Sequence, residues 1–479
     1  MSKLLLAAIC CMLGLKSFAQ FVISGSVRDA KTNESLVGAT VQFEDQGRGE
    51  ITDERGHFEF KNVRAGKQTL LVRFLGFAEE RKELEVSGDM QLDFALHESS
   101  QLTDEVTVLA TRATENSPTA FSNISRTQIQ KQNFGQDMPF VLNWTPSLVT
   151  TSDAGAGIGY TGVRIRGSDA TRINVTINGI VLNDAEEQGV YWVDVPDIAT
   201  STQNIQIQRG VGTSTNGSGA FGGSINLQTN THKDQPYADV INSFGSFGTH
   251  RHTVGFGTGL KNKFAFDGRM SLIGSDGYID RATSDLKSYY LSGGYYGDKT
   301  MVKAIVFGGK EITYQSWWGV PQSRLNNDPV AMQATVGAES WNAQQAQNLF
   351  NSGRTFNAYT YPNQIDNYAQ DHYQLHLSQL ATTHLTLNAA LHYTYGRGYY
   401  EEYKYAQKFS DYGVPNPVIG TKTLDSTDLV RRLWLDNRFY GMTWSLNYEK
   451  EKWNSILGGA FNRYDGDHFG QIVWAQVAT

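Results

Sequence analysis

The sequence is poor in the residues that build disulfide scaffolds and helical membrane proteins. Its only two cysteines, Cys10 and Cys11, lie at the very start of 479 residues, and it has only 10 prolines. Mean hydropathy is −0.39, and no apolar run approaches the ~20 residues of a membrane-spanning helix. Acidic residues outnumber basic ones, 48 to 41, so nucleic-acid binding through bulk charge is not expected.

Glycine and aromatic residues are abundant by contrast. The chain has 48 Gly, 24 Phe, 23 Tyr and 9 Trp, enough apolar surface for a folded core. A polar mean hydropathy with many aromatic residues is typical of β structure. It is also typical of membrane β-barrels, in which apolar and polar residues alternate and no long apolar run appears. At roughly 150 residues per domain, the length predicts about three domains.

Residues 1–19 have the pattern of an export signal. Lys3 precedes an apolar run from Leu4 to Leu15, and Ser17-Phe18-Ala19 forms a cleavage site of small residues. We therefore expect a mature chain that starts at Gln20 and has no cysteine, which excludes thiol chemistry. A buried core strand is the alternative interpretation of the same run.

Residues 20–98 are predicted to form a small β-sandwich. Six short β-type runs, separated by turn residues, are Val22–Val27, Ala39–Phe43, His57–Phe60, Gln68–Phe74, Glu83–Val86 and Met90–Leu96. The motifs Gly25-Ser-Val27-Arg-Asp29, Thr52-Asp53-Glu-Arg-Gly56 and Phe74-Leu-Gly76-Phe77 resemble the carboxypeptidase-regulatory-like domain. Peptidase activity is not implied, because the sequence has no His-Glu-x-x-His or His-x-x-Glu zinc pattern.

A linker with a β-prone patch, residues 99–114, follows. Glu105-Val106-Thr107-Val108-Leu109 alternates as an edge strand of the sandwich would, or as a free strand offered to a partner by β-augmentation. The patch resembles the TonB box of TonB-dependent outer-membrane receptors. The resemblance implies that these five residues bind a TonB-type energy-transducing protein.

Residues 115–230, which we name the plug, are predicted to form an α+β domain. Four alternating segments indicate a sheet with one apolar and one polar face: Val163–Gly167, Ile173–Asn178, Ile205–Gln208 and Ile225–Gln228. Helical spacing within Arg126–Trp144 predicts Ile129, Phe134, Val141 and Leu142 as buried residues. Asn178-Gly179 is typical of a hairpin turn.

A glycine motif in the plug needs its context. Gly217-Ser-Gly219-Ala-Phe-Gly222 matches a dinucleotide fingerprint, but the strand pattern that follows does not suit a Rossmann site. We expect these glycines to permit tight turns and close backbone approach. With Val163–Gly167, Asn178-Gly179-Ile180 and Ile207–Gly212, the motif resembles the plug domain of the same receptors.

That resemblance implies a domain that sits inside a barrel and blocks it. The plug and gating residues it indicates are Arg164, Arg166, Arg172, Arg209, Gly210, Gly217, Gly219, Gly222 and Gly223. A polar lumen would supply the partners that Arg164 and Arg166 require. Ordinary surface exposure is the alternative for these arginines.

Residues 231–479 alternate over long segments, as lipid-facing strands do. In Phe264–Leu272 and Leu385–Tyr395 one face is largely apolar and the other largely polar, and aromatic residues lie near strand ends. A soluble sandwich also alternates and stays an alternative. Plugged transporters have about 22 strands, and the residues present suffice for roughly half, so we expect an incomplete barrel. Ser316–Gln370 is interpreted as a long extracellular loop, in which Trp317 and Trp318 either stack on a ligand or anchor at the membrane interface.

The sequence therefore predicts a mainly β protein: a β-sandwich, an α+β plug and an antiparallel transmembrane β-barrel, 22-stranded in the family. The resemblance implies an outer-membrane protein of a Gram-negative bacterium that imports a scarce nutrient. An iron complex or siderophore is the default ligand, oligosaccharide or cobalamin the alternative, and an adhesin or binding protein a different class.

The implied partners are the TonB-type protein with its inner-membrane motor, outer-membrane lipid, an extracellular small-molecule ligand and a surface lipoprotein. We expect no cofactor, no metal site and no enzymatic activity. The pairs His250 with His252 and His372 with His376 are interpreted as structural or interfacial. On a strand, residues i and i+2 share a face, but residues i and i+4 lie ~13 Å apart.

Overall fold

The computed structural model describes residues 20–477 except 31, 45–47, 75, 76, 78, 98–111, 114–118, 213–219, 230, 231, 234, 451 and 452. The expected signal peptide, the TonB box at 105–109, and Gly217 and Gly219 lie outside the described residues. The chain divides into two compact units between Gln101 and Leu102. Across the described part of the chain, no helix has the length and apolar character that membrane crossing requires.

The first unit is a sandwich of two sheets. Its strands are β1 (Gln20–Asp29), β2 (Thr40–Phe43), β3 (Gly49–Ile51), β4 (His57–Arg64), β5 (Gly66–Arg73), β6 (Glu80–Val86) and β7 (Met90–Leu96). One sheet has the order β4-β1-β7 and the other β3-β2-β5-β6, and only the β1–β7 pair is parallel. Phe58 and Phe60 on β4 are buried between the sheets, whereas His57 and Glu59 face outward. Strand β3 was not predicted, because three residues are too few to show a period of two.

The described part of the plug contains two sheets, two short α-helices and three 3₁₀ helices, Ala170–Arg172, Trp192–Asp194 and Ile198–Ser201. Its elements are β8 (Ala120–Ser125), α1 (Arg126–Gln132), α2 (Met138–Val141), β9 (Leu148–Ser152), β10 (Thr161–Ile165), β11 (Ile173–Ile177), β12 (Ile180–Val181), β13 (Thr202–Arg209) and β14 (Gly223–Thr229). The larger sheet has the order β12-β11-β14-β13-β8, and β9 pairs with β10. Asn178 and Gly179 both have positive φ in the β11–β12 turn, as a type I′ hairpin needs.

The helical prediction for the plug was wrong at one residue. Ile129, Val141 and Leu142 are buried, but Phe134 is 65 % exposed. Helix α1 begins with a capping box at Ser125 and ends at Gln132. Phe134 therefore lies after the helix, in an irregular segment beside Gly135. Its side chain does not point towards the core, as it would in a longer helix.

Nine of the remaining strands form one antiparallel sheet, the barrel portion. They are β15 (Tyr237–Phe244), β16 (His250–Gly257), β17 (Phe264–Ser275), β18 (Ser284–Tyr296), β19 (Thr300–Tyr314), β20 (Ile365–Thr382), β21 (Leu385–Lys408), β24 (Ser426–Lys450) and β25 (Trp453–Ala475), with a small hairpin of β22 (Val418–Ile419) and β23 (Lys422–Thr423). The nine long strands pair in sequence order from β15 to β25. On β17, Phe264, Phe266 and Met270 are exposed on one face while Ala265 and Arg269 are buried on the other, as the alternation predicted.

The two ends of this sheet differ in their connections. Short turns at 258–263, 297–299 and 383–384 lie at one end, and the segments 315–364 and 409–425 lie at the other. The first of these long segments begins and ends close to the loop expected at Ser316–Gln370. It contains the helices α3 (Gln322–Leu325), α4 (Pro329–Ala338) and α5 (Ala343–Asn351), which enclose a small core of Met332, Val336, Leu349 and Phe356.

Candidate functional site: the plug and barrel interface

The apolar face of the plug packs against the inward face of the barrel strands. One continuous core joins the plug residues Ile205 and Ile225 to Tyr290 on β18 and to Ile305 and Phe307 on β19. These side chains are at most 2 % exposed. The plug is therefore held to the barrel wall by hydrophobic burial as well as by polar contacts.

The polar face of the plug sheet is also buried, and it is satisfied mainly by its own side chains. Thr176 Oγ1 donates to Asn226 Oδ1 at 2.8 Å, and Gln206 Nε2 donates to Asn123 Oδ1 at 2.9 Å. A direct link to the barrel exists where Asn178 Nδ2 donates to Gln374 Oε1 at 3.1 Å. The sequence predicted this polar face but not that amides on neighbouring strands would be its chief partners.

A buried ion-pair cluster joins plug and barrel, and we name it the Asp197 latch. Asp197 of the plug accepts from Arg251 on β16 at 2.9 Å and from Arg269 on β17 at 3.2 Å. The side chains are 0 %, 1 % and 5 % exposed, respectively. The hydroxyls of Thr200 and Thr253 also donate to this carboxylate, at 2.6 and 3.0 Å. The Asp197 carboxylate therefore accepts hydrogen bonds from two hydroxyls and from two buried arginines.

The backbone and the pKa of Asp197 both reflect this position. Its φ of 55° is left-handed, a conformation that aspartate tolerates better than most residues. Burial acts to raise the pKa of Asp197, but Arg269, Arg251 and the hydroxyl donors outweigh it and hold the pKa below its ordinary value. The carboxylate is therefore ionised at neutral pH. The sequence analysis did not identify Asp197. The inward-facing Arg269 could have indicated a buried acidic partner, because a buried charge needs a counter-ion.

A second cluster lies towards the end with the long connections. Tyr160 of the plug donates its hydroxyl to Asp366 on β20 and contacts the ring of Trp317 at 5.1 Å between centroids. Glu311 on β19 is 1 % exposed. Burial, together with the Asp366 and Asp184 carboxylates, raises the pKa of Asp194 well above its usual range. The plug backbone comes close to the wall here, since a Cβ on Gly309 would lie 2.8 Å from the Asp194 carbonyl oxygen.

The two candidate tryptophans have different surroundings. Trp317 packs between Tyr160 of the plug and Tyr400 of β21, with centroid distances of 5.1 and 5.7 Å. Trp318 packs on Trp341 and Phe356 in the core of segment 315–364. Trp317 thus lies where plug and barrel meet, and Trp318 supports the fold of the loop.

The predicted plug arginines do not contact the described barrel strands. Arg164 and Arg166 are exposed. Arg164 is on the polar face of the small β9–β10 sheet, which is left uncovered, and Arg166 lies in the turn just after β10. Arg172 pairs with Asp169, and Arg209 donates to the Pro146 carbonyl oxygen at 3.3 Å. The cations that join plug to barrel come from the barrel side instead.

The described candidate glycines allow close packing of the backbone. A Cβ on Gly222 would lie 2.4 Å from Ser168 Cβ, and one on Gly223 would lie 2.7 Å from the Gln208 carbonyl oxygen. Gly210 has a φ of 100°, a backbone conformation that residues other than glycine rarely adopt. Within the described ranges, no group of three or more His, Cys, Asp or Glu side chains is arranged to hold a metal ion.

Comparison with known proteins gives these domains a family. The CarboxypepD_reg-like domain model matches residues 23–108, and the TonB-dependent Receptor Plug Domain model matches residues 113–224. The chain belongs to the TonB-dependent receptors. No curated protein matches it by sequence.

Solved structures share the fold of this receptor at low sequence identity. The ferric-catecholate import receptor Fiu from E. coli K12 in its open form is 15 % identical, with a TM-score of 0.55 over 76 % of this chain and 52 % of that one. The siderophore receptor PiuA from Acinetobacter baumannii is 13 % identical, with a TM-score of 0.53 over 75 % and 47 %. FpvA from P. aeruginosa, bound to a heterologous pyoverdine, is 12 % identical, with a TM-score of 0.53 over 79 % and 48 %. The chain spans about half the length of these structures.

The receptor's linker is anchored where it enters the plug. The Ala113 N–H donates to Gln206 Oε1 at 2.7 Å, and Gln206 Nε2 donates back to the Ala113 carbonyl at 2.9 Å. Arg112 donates to the Asn226 carbonyl at 3.3 Å. These two linker residues are thus tied to the neighbouring strands β13 and β14 of the plug sheet.

A buried acid in the plug predicts a pH dependence of stability. Burial raises the pKa of Asp137 to about 8, although Thr161 Oγ1 donates to it at 2.9 Å. The pKa of Asp137 in the folded protein lies above its unfolded value of about 3.9. The contribution of protonated Asp137 to the free energy of unfolding is therefore fully present below pH 3.9 and is lost as pH rises through 8. Between pH 3.9 and 8, ionisation of Asp137 lowers the free energy of unfolding by about 1.4 kcal/mol per pH unit, and we expect Asp137→Asn to abolish this part of the pH dependence.

The measurement is urea unfolding of the plug in the full-length receptor at pH 6 and pH 8. A cysteine introduced at buried Val175, in a receptor whose other cysteines are replaced by serine, reports unfolding by thiol labelling. The exposed variant Asp169→Asn should keep the wild-type slope between the two pH values. An unchanged slope in Asp137→Asn would contradict the prediction.

Proposed function

We propose that the whole protein imports a scarce nutrient across the outer membrane by TonB-dependent active transport, and that the nutrient is an iron complex or siderophore. The observation that carries the proposal is a plug domain buried against the inward face of a barrel sheet, with its N-terminal entry tied to its central strands. Fiu is a ferric-catecholate import receptor and PiuA is a siderophore receptor, and their shared fold with this chain supports the choice of ligand. We place the protein in the outer membrane of a Gram-negative bacterium.

The geometry suits a plug that is moved by force from the linker. A TonB-type protein, driven by its inner-membrane motor, would add Glu105–Leu109 as a strand to its own sheet. Tension there passes to Arg112 and Ala113 and then, through the paired hydrogen bonds of Gln206, to β13. Because β13 is an interior strand of the plug sheet, between β14 and β8, the pull is delivered to the body of the plug.

The segments 315–364 and 409–425 are proposed to face the cell exterior, where outer-membrane barrels carry their longer loops. The extracellular ligand would then meet Trp317, Tyr160 and the plug apex. Outer-membrane lipid contacts the exposed apolar band that includes Phe266, Met270 and Leu391. A surface lipoprotein is a further proposed partner at the loop end.

The proposal is tested with the full-length gene by changing Val106 and Thr107 together to proline. The double change removes two neighbouring N–H donors, so strand addition loses a hydrogen bond in either register. Cells that lack the receptor are complemented with this variant and screened for binding and uptake of iron complexes, cobalamin and oligosaccharides. We expect surface binding of the ligand to be unchanged and its uptake to fall to the level of the knockout.

The matched control replaces Val106 with isoleucine and Thr107 with valine, which keeps the N–H groups and the β propensity. This variant should transport like the wild type. Normal uptake in the proline variant would refute TonB-dependent transport. Uptake of cobalamin or oligosaccharide alone would correct the ligand, and binding without uptake in every strain would favour an adhesin.

A further inference from the structure

The turn 276–283, which we name the bridging turn, contacts both the plug and the segment 315–364. Strand β17 ends at Ser275 and β18 begins at Ser284, so this turn lies at the end of the sheet with the long connections. Segment 315–364 leaves the sheet at the same end, and we name it the cap segment. The bridging turn therefore lies where a single short element can reach the plug on one side and the cap segment on the other.

On the plug side, the backbone of the bridging turn is hydrogen-bonded to the plug. The N–H groups of Tyr278 and Ile279 both donate to the Ala154 carbonyl oxygen, at 2.8 and 3.2 Å. The neighbouring Gly155 has a φ of 72°, and a Cβ there would lie 3.1 Å from Tyr278 Cβ. Nearby, Ile158 of the plug is 2 % exposed in a small core that it shares with β17 and β18. This part of the plug is thus fixed to the turn and to the strands that carry it.

On the other side, Arg281 and its neighbour in the bridging turn are hydrogen-bonded to the cap segment. The Asp280 N–H donates to the Thr355 carbonyl at 2.7 Å, and Asn357 Nδ2 donates back to the Asp280 carbonyl at 2.9 Å. Arg281 Nη2 donates to the Asn357 carbonyl at 3.0 Å, and its Nε donates to the Tyr359 carbonyl at 3.1 Å. The rigid fork of a guanidinium can hold two such carbonyls at once, which a lysine ammonium on its flexible stem does less well.

The cap segment has its own hydrophobic core, built around Met332 and Phe356, and Arg281 is not part of that core. The hydrogen bonds of Arg281 therefore act on the position of the cap segment more than on its folding. The backbone of Arg281 has a φ of 67°, a left-handed conformation that is uncommon outside glycine and persists where the surrounding structure holds it. In this conformation the Arg281 side chain reaches the two carbonyl oxygens of the cap segment.

We propose that Arg281 is a positioning residue, which holds the cap segment in one place relative to the plug. The cap segment carries Trp317, and the plug is bonded to the same turn at Ala154, so both walls of the ligand site keep one relative geometry. A site that is arranged before binding loses less entropy when the ligand is ordered. The same connection passes a movement of the plug to the cap segment. This role rests on the proposed function, because it takes the cap segment as the extracellular wall of the ligand site.

The test measures the distance from plug to cap segment in the full-length receptor in detergent. Spin labels are attached to cysteines introduced at Ala185 of the plug and Val330 of the cap segment, which are both exposed, in a receptor whose other cysteines are replaced by serine. Pulsed electron paramagnetic resonance gives the distribution of label distances. We expect one narrow distance in the otherwise unchanged receptor and loss of that single distance in Arg281→Ala. Hydrogen exchange of the Met332 and Val336 amides should stay slow in both, because the core of the cap segment is untouched.

The matched control is Thr283→Ala. Thr283 is exposed in the same turn, and its side chain forms none of the hydrogen bonds described above, so this variant should keep the single narrow distance. An unchanged distance in Arg281→Ala, or an equal broadening in Thr283→Ala, would overturn the positioning role. Fast exchange at Met332 and Val336 in Arg281→Ala would overturn it too, because the arginine would then be required for folding of the cap segment. The measurement needs neither ligand nor TonB-type protein, so its failure would leave the transport proposal untouched, and normal uptake in the proline variant would refute transport without changing the measured distances.

Discussion

Replacing Asp197 with asparagine is expected to destabilise the attachment of the plug by about 3–5 kcal/mol. The change removes the only carboxylate that contacts both Arg251 and Arg269 within the described residues. Two buried guanidinium groups are then left without their counter-ion, and neither can become neutral at accessible pH. Asparagine tolerates the left-handed φ of 55°, so the substitution isolates the effect of the charge from that of backbone strain.

Hydrogen exchange of the Ile198–Ser201 amides in the full-length receptor is the measurement. A loss of about 3 kcal/mol corresponds to exchange about 10²-fold faster where local opening governs the rate. The matched control is Asp169→Asn, since Asp169 also pairs with an arginine but is 42 % exposed. An exposed pair contributes about 1 kcal/mol or less. Equal rates in the two variants would show that the latch does not hold the plug.

Replacing Gly25 with alanine is expected to unfold the sandwich or to cost it more than about 3 kcal/mol. Gly25 lies on β1, the central strand of its sheet, and faces Leu92 on β7 and Phe58 on β4. A Cβ at this position would lie 1.7 Å from the Leu92 carbonyl oxygen. Backbone atoms on β7 must move to accommodate it, and a domain this small has little stability to spare.

Exchange of the β1 and β7 amides in the full chain measures this effect. Gly88→Ala is the control, because a Cβ at Gly88 would have no atom within 4 Å and its φ is not in the left-handed region. That variant should exchange like the wild type. Protection of β1 that survives in Gly25→Ala would mean that β7 can shift without loss of the sheet.

Alternation with a period of two was sufficient to predict many strands of this protein. It works because successive side chains on a strand face opposite sides, so burial of one face is written directly in the sequence. Phe58 and Phe60 in the sandwich and Phe264 and Phe266 in the barrel portion follow this rule. Turn residues such as Asn178-Gly179 marked the hairpins for an equally local reason.

Local patterns failed where an element was short or its end was set by packing. The three-residue strand β3 shows no period, and Phe134 is exposed because α1 ends at Gln132. The helices in segment 315–364 follow from their own small core. The polar composition of this segment predicted a loop but not its three helices.

The sequence by itself determined the fold class and the positions of many strands, because both depend on spacing within a short window. Only the tertiary structure decided which charges meet. Asp197, Arg251 and Arg269 are far apart in the chain and become partners when the plug docks on the barrel wall. The cost of burying a charge depends on its neighbours in space, and no window of sequence contains those neighbours.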